Sequence, residues 1–175
     1  MSSVPSTEMK PLNVALLTVS DTRGPEQDTS GQFLEDSVVE AGHNLVARRI
    51  LPDDLYLVRA LLSGWIADSQ VHAVIITGGT GLLERDSTPE AVRPLLDKTI
   101  EGCGEEFRRL SAAEIGSSTV QSRAMAGMAN HTVIFCLPGS TGACRTGWDK
   151  TLKPQLDLRT KPCNFAMLVP RLNER

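Results

Sequence analysis

Little in this chain supplies the side chains on which covalent or zinc-based catalysis most often rests. Its four cysteines, Cys103, Cys136, Cys144 and Cys163, include no Cys-x-x-Cys pair, and that spacing reads as free thiols in a reducing cytosol rather than as a disulfide framework. The three histidines, His43, His72 and His131, lie scattered, without metal-ligand spacing, so no zinc site is expected. Ser20 has no visible His/Asp context, which argues against a serine hydrolase. Long apolar runs are missing, and a membrane span needs roughly 20 such residues. The start, MSSVPSTEMKPLN, lacks the basic-then-apolar layout of a signal peptide; a cytoplasmic protein is expected. Excess charge of one sign is missing as well. A net charge of −3 exerts no long-range pull on nucleic acid or on an anionic membrane. An anionic ligand would have to be gripped by backbone N–H groups, a few arginines or a metal.

What is present is an alternation of short β-branched runs with helical patterns, as in a parallel α/β sheet. NVALLTVS (Asn13–Ser20) reads as a strand covered on both faces. QFLEDSVVEAG reads as a helix closed by Gly42, and NLVARRI as a strand nearer an edge. The clearest helix is LPDDLYLVRALLSGWIADS, with Leu55, Val58, Leu61, Leu62, Trp65 and Ile66 on one stripe. HAVIITGGTG is the central strand running into a glycine loop. Thr88-Pro89-Glu90 then opens a helix with a capping hydroxyl and an early proline. GCGEEFRRLSAAEIG and STVQSRAMAGMAN read as two further helices, HTVIFCLPGS as the last strand, and STGACRTGWDKTLKPQLD as the closing helix. The expected organisation is one doubly wound, mostly parallel α/β domain over residues 12–158. A flexible segment precedes it (1–11), and an extension (159–175) packs on the surface or on a neighbouring subunit.

In an open parallel sheet, ligands sit outside the carboxyl ends of the strands. Three segments leave strands here with glycine or hydroxyl residues: SDTRG, TGGTG and PGSTGACR. Glycines let backbone N–H groups turn toward an anion with no Cβ in the way, and helices begin soon after each loop. Neither GxxxxGK[ST] nor GxGxxG is matched, and a glycine turn after a strand is also a common structural device. Asp86 precedes the Thr88 helix, where an ordinary acid complementing the dipole is one reading. Asp53 and Asp54 have the same reading as helix caps. The alternative is oxygen ligation of Mg²⁺ by Asp53 and Asp86 with ligand phosphates. Ser122, Arg123 and Arg145 read equally as solvated surface residues, and Trp65 and Trp148 as core.

The motifs TVSDTRG…DTSG, TGGTG…RD.TPEA, G.GE.FR.LS, QSRA.AG and PGS..ACR, in this order from about Val14 to Phe165, resemble the MoaB/MogA family of molybdenum cofactor biosynthesis. The ending LKPQLDLRTKPCNF is similar to its proteobacterial MoaB branch. The resemblance implies a molybdopterin-binding homotrimer or homohexamer. In active members it implies adenylyl transfer from Mg-ATP to the molybdopterin phosphate. It places Asp53 and Asp86 on the family's metal and catalytic carboxylates. Thr77, Gly78, Gly79, Thr80 and Gly81 fall on the nucleotide-phosphate loop, Ser122 and Arg123 near the pterin, and Pro138, Gly139 and Ser140 on the second glycine loop. Ser20 and Asp21 fall on the first-strand loop lining the same pocket. A non-catalytic molybdopterin-binding protein, with a MogA-type paralogue doing the transfer, is the alternative. The residues themselves agree with the enzyme: joining two polyanions demands charge cancellation and positioning rather than a strong nucleophile.

Overall fold

Strands β1 (Asn13–Val19), β2 (Asn44–Leu51), β3 (Ala73–Thr77), β4 (Lys98–Thr99), β5 (Met125–Ala129) and β6 (Thr132–Leu137) build one sheet in the computed structural model, which describes residues 8–169. Their order is β2-β1-β3-β6-β5-β4. The first four of these neighbours pair parallel, whereas β5 pairs antiparallel with both β6 and β4. β3 and β6 are buried along their whole lengths and β1 along all but its first residue, as their uninterrupted apolar runs require. β2 alternates between exposed and part-buried residues, as suits an edge.

Side-chain alternation divides the interior into two layers. Leu16, Ile75 and Phe135 point to one face. There they pack with Leu34 of α1 (Thr29–Glu40), Phe107 of α4 (Glu101–Ile115) and Cys144 of α5 (Thr141–Gly147). α5 runs on through a π-helical turn (Trp148–Leu152) into Lys153–Gln155, and Trp148 lies in the same layer. Leu17, Ile76 and Cys136 point the other way, against Val58 and Leu62 of α2 (Leu55–Ala67) and Val92 of α3 (Thr88–Val92). Helices on both faces of a mainly parallel sheet make this a doubly wound α/β fold. Trp148 is a core residue, and Trp65 packs part-buried against the second layer.

Two local expectations are corrected. STVQSRAMAGMAN is not a helix: Gly116–Gln121 is a 3-10 segment and Met125–Ala129 is β5. Thr88 is not a capping hydroxyl either. Ser87 holds the cap position without a side-chain bond to the helix N–H groups, and Thr88 Oγ1 donates to the Gly78 carbonyl at 2.9 Å. The tail as far as residue 169 packs on the chain's own core, where Ala166 and Val169 are buried and the Phe165 ring lies 5.9 Å from that of Phe135. Expectations for residues 1–7 and 170–175 lie outside the described residues.

Strand register decides which loops meet. Thr18 pairs with Thr77, and Thr77 with Leu137, so the loops after β1, β3 and β6 leave the sheet side by side.

Candidate functional site

Thr77, wholly buried at the end of β3, donates its hydroxyl to the Pro138 carbonyl at 3.0 Å, and the Gly78 N–H donates to the Leu137 carbonyl at 3.1 Å. These bonds bind the end of β3 to the end of β6. Thr77 thus secures the loop. At Gly78 the chain adopts φ +99°, and a Cβ there would lie 2.1 Å from the Val19 carbonyl; only glycine allows the crossing. A Cβ on Gly139 would lie 3.2 Å from the Gly78 Cα, so the two glycine bends touch. α3 clasps the loop from its other side, since the Thr88 N–H donates to the Gly79 carbonyl at 2.9 Å. Among the described residues the N–H groups of Gly79, Thr80 and Gly81 meet no protein acceptor, the condition for a backbone anion nest.

Two carboxylates border this loop from different directions. Asp53, in the turn between β2 and α2, has Oδ2 placed 2.7 Å from where a Gly79 Cβ would stand. Its Oδ1 accepts the Ser87 N–H at 3.1 Å and the Ser87 hydroxyl at 2.7 Å. Asp54, the neighbouring acid, is the actual cap of α2, accepting from the Tyr56 and Leu57 N–H groups at 2.9 Å. Asp86 Oδ2 accepts the Leu83 N–H at 2.8 Å and lies 2.4 Å from an imagined Gly81 Cβ. Each carboxylate therefore has one oxygen engaged by the protein; Asp53 Oδ2 and Asp86 Oδ1 meet no donor among the described residues. Nor does any group of three or more His, Cys, Asp and Glu among these residues form a metal cage. An ion here would complete its shell with water and ligand oxygens, as Mg²⁺ commonly does.

The loops open on a cleft of about 590 Å³ lined by Ser20, Gly78 to Gly81, Asp86, Ser122 and Pro138 to Ser140, a volume in the range of small-molecule sites. Asp21, Asp53, Thr77 and Arg123 are not among its lining residues, and Arg123 lines two smaller neighbouring cavities, one of which also includes Asp86. Asp21 accepts the Asp53 N–H at 3.1 Å and pairs with Arg85 at 2.9 Å, so it steadies the turn that carries Asp53. Arg123 donates to the Thr80 carbonyl at 3.2 Å and the Asp86 carbonyl at 2.7 Å, and pairs with Glu90. It clamps the loop. Arg145 stacks on the Phe33 ring, 4.5 Å from its centroid.

Sequence reasoning missed other lining residues: Arg23, and Phe107, Glu114, Ile115 and Thr146 along the α4–α5 wall. Among the described residues Arg23 is the one Lys, Arg or His of the lining. Its Nη1 donates to the Gly139 carbonyl at 2.8 Å and to Ser30 Oγ at 3.0 Å. Ser30 in turn leans on Asp28, at 3.3 Å. Burial alone would raise the Asp28 carboxyl, but bonds from Thr18, the Gly31 N–H and Arg48 overcome it and hold the group below its usual range. The DTSG stretch was the available signal, since a buried acid needs such partners. Burial raises Cys103 and Cys144 to about 11 and Cys136 to about 12, which disfavours the reactive thiolate at these three positions.

A family model described as "Probable molybdopterin binding domain" matches residues 15–158. Molybdenum cofactor biosynthesis protein B of Escherichia coli (strain K12) is 58% identical over 165 residues, 94% of this chain and 96% of that protein. The protein of the same name from Bacillus subtilis (strain 168) is 45% identical over 81% of this chain and 84% of its own. A crystal structure of a molybdenum cofactor biosynthesis protein B superimposes with a TM-score of 0.84 at 37% identity, over 99% of this chain and 100% of the other. The tungsten cofactor synthesizing protein MoaB from Pyrococcus furiosus gives 0.72 at 38% identity, over 79% and 88%. With a family model matching residues 15–158 and a relative 58% identical over 94% of this chain, the chain belongs to the molybdopterin-binding-domain family and, within it, to the MoaB proteins of molybdenum cofactor biosynthesis.

Proposed function

We propose that this protein adenylylates molybdopterin with Mg-ATP. An oxygen of the molybdopterin phosphate attacks the α-phosphorus of ATP, and a new P–O bond forms. The bond from that phosphorus to the β-bridging oxygen breaks, and its electron pair leaves with pyrophosphate. No proton need be removed from the nucleophile, because a phosphate monoester is already ionised at neutral pH. The reading rests on one observation above others. Asp53 and Asp86, from separate turns, border the same glycine loop, and each keeps one oxygen without a donor among the described residues.

That donor set fits Mg²⁺, whose preference is for one or two carboxylates with phosphate and water. Held there, the ion would neutralise charge on the reacting phosphates. The chain's own groups do the rest. The N–H groups of Gly79, Thr80 and Gly81 receive phosphate oxygens, Arg23 balances charge on the β1 side, and Phe107 and Ile115 shed water from the opposite wall. Fixed donors of this kind act on charge as it develops, without reorganising.

A second reading, a molybdopterin-binding protein without transfer activity, draws support from the cleft's charge. Among the described residues Arg23 is the one lining cation, against the acids Asp86 and Glu114, which is spare for a triphosphate and a phosphate together. Turnover with molybdopterin, Mg²⁺ and ATP separates the two readings. Wild type should form adenylyl-molybdopterin and pyrophosphate, and Asp86→Ala should lose activity by about 100-fold or more. Tight molybdopterin binding by wild type with no product would sink adenylyl transfer and leave the binder.

A further inference from the structure

The α4–α5 wall of the cleft is built differently from its loop wall. Glu114, near the end of α4, lies beside Thr146 of α5, whose hydroxyl is 2.8 Å from Oε1 and 3.0 Å from Oε2. Thr146 is buried whereas Glu114 is exposed, so the carboxylate is held from behind by one hydroxyl and has lone pairs left over. Phe107 and Ile115 line the same wall. An acid there contributes nothing to gripping phosphate; it repels it. Its place beside Phe107 and Ile115, on a wall otherwise carrying uncharged Ser111, Ser118 and Gln121, suits a planar ring that offers hydrogen-bond donors along one edge.

We infer that Glu114 is the residue that selects the pterin, by accepting hydrogen bonds from the ring N3–H and the 2-amino group. This rests on the molybdopterin reading and adds a recognition residue that no motif of that reading includes. A 2-amino-4-oxopyrimidine ring presents those two donors side by side, at the spacing of the two oxygens of a carboxylate, and such bidentate charged pairs are stronger than neutral ones. Adenine presents a donor next to an acceptor, N6–H beside N1, so a carboxylate facing it would meet one lone pair with another. Glu114 thereby assigns direction as well as identity: the pterin belongs against α4 and α5, and the phosphates toward the glycine loops that carry the backbone donors. Thr146 positions the carboxylate and does not itself read the ring. Discrimination against an analogue lacking a donor is large where a site's polar group is then left unpaired.

The test compares a fluorescent 2-amino-4-oxopteridine with its 2,4-dioxo counterpart, in which the 2-amino donor is replaced by an acceptor. Molybdopterin and Mg-ATP are titrated alongside, on the full-length protein. Wild type should favour the 2-amino compound by tenfold or more. Glu114→Gln should erase that preference and weaken molybdopterin by at least tenfold, while Mg-ATP affinity stays within twofold. Thr146→Val should reduce the preference partway. A preference that survives in Glu114→Gln, or a loss of Mg-ATP binding equal to that of molybdopterin, would overturn the assignment to Glu114 and leave the molybdopterin reading standing. Wild type that binds neither pteridine nor molybdopterin would remove both.

Discussion

Ser87 gives both its backbone N–H and its hydroxyl to a single oxygen of Asp53, at 3.1 and 2.7 Å. The residue directly after Asp86 therefore fixes the rotamer of Asp53, and the two carboxylates are mechanically one unit although 33 positions separate them in sequence (86 − 53). Ser87→Ala keeps the N–H bond and removes the hydroxyl. A hydrogen bond to a charged group contributes about 1.5 to 3 kcal/mol, so activity should fall by roughly tenfold to 100-fold. The Mg²⁺ concentration giving half-maximal rate should rise in parallel. Unaltered Mg²⁺ dependence would show that Ser87 supports the fold alone.

Arg123 yields a different kind of prediction because its work is done on carbonyls. It bonds to the Thr80 and Asp86 carbonyls, which lie at the two ends of the loop, and pairs with Glu90 beyond it. The loop tip between them exposes Leu82 and Leu83, so few packing contacts replace the clamp. Arg123→Ala should raise amide exchange across residues 80–87 while leaving β3 and β6 protected. Turnover should fall by about tenfold to 100-fold. Arg123→Lys should recover only part of that, since an ammonium cannot span carbonyls as a planar guanidinium does. Equal exchange in the variant and wild type would end the clamp interpretation.

How far the sequence foretells this arrangement depends on what kind of signal each part carries. β1, β3 and β6 are legible because strands buried on both faces must be apolar throughout. The turn glycines are legible because close crossings leave no room for a Cβ. β5 is hidden: MAGMA has no β-branched residue, and its extended form comes from pairing Ala126 with Phe135 and Met128 with Val133 on β6, a long-range constraint that overrides local propensity. Arg123 and Arg23 are visible as residues, but their partners sit 37 and 116 positions away, so their roles exist only once the sheet has formed. Glu114 has no local mark at all. It sits on an amphipathic helix among other exposed acids, and only the approach of α5 distinguishes it.

His43 and Asp28 should each contribute to acid sensitivity, in separate pH windows. His43 is buried and neutral, with Nδ1 accepting the Leu12 N–H at 3.1 Å. Burial lowers its pKa from the ordinary 6.5, and the nearby Asp157 carboxylate only partly opposes this. As pH falls through about 6.5, the unfolded chain takes up a proton that the folded protein resists. Linkage then makes stability fall with pH. The contribution is complete above 6.5 and is lost on descending toward the folded pKa. Asp28 is also lowered, from 3.8, so its contribution persists above about 4 and disappears only in stronger acid. Urea midpoints measured from pH 8 to pH 5 should decline for wild type. His43→Asn replaces Nδ1 with an amide oxygen that can still accept from Leu12 but cannot ionise. Its midpoint should start lower and change less over the same range, while the steeper loss below pH 4 remains. A variant whose profile runs parallel to wild type between pH 7 and 5 would clear His43 of any part in the acid response.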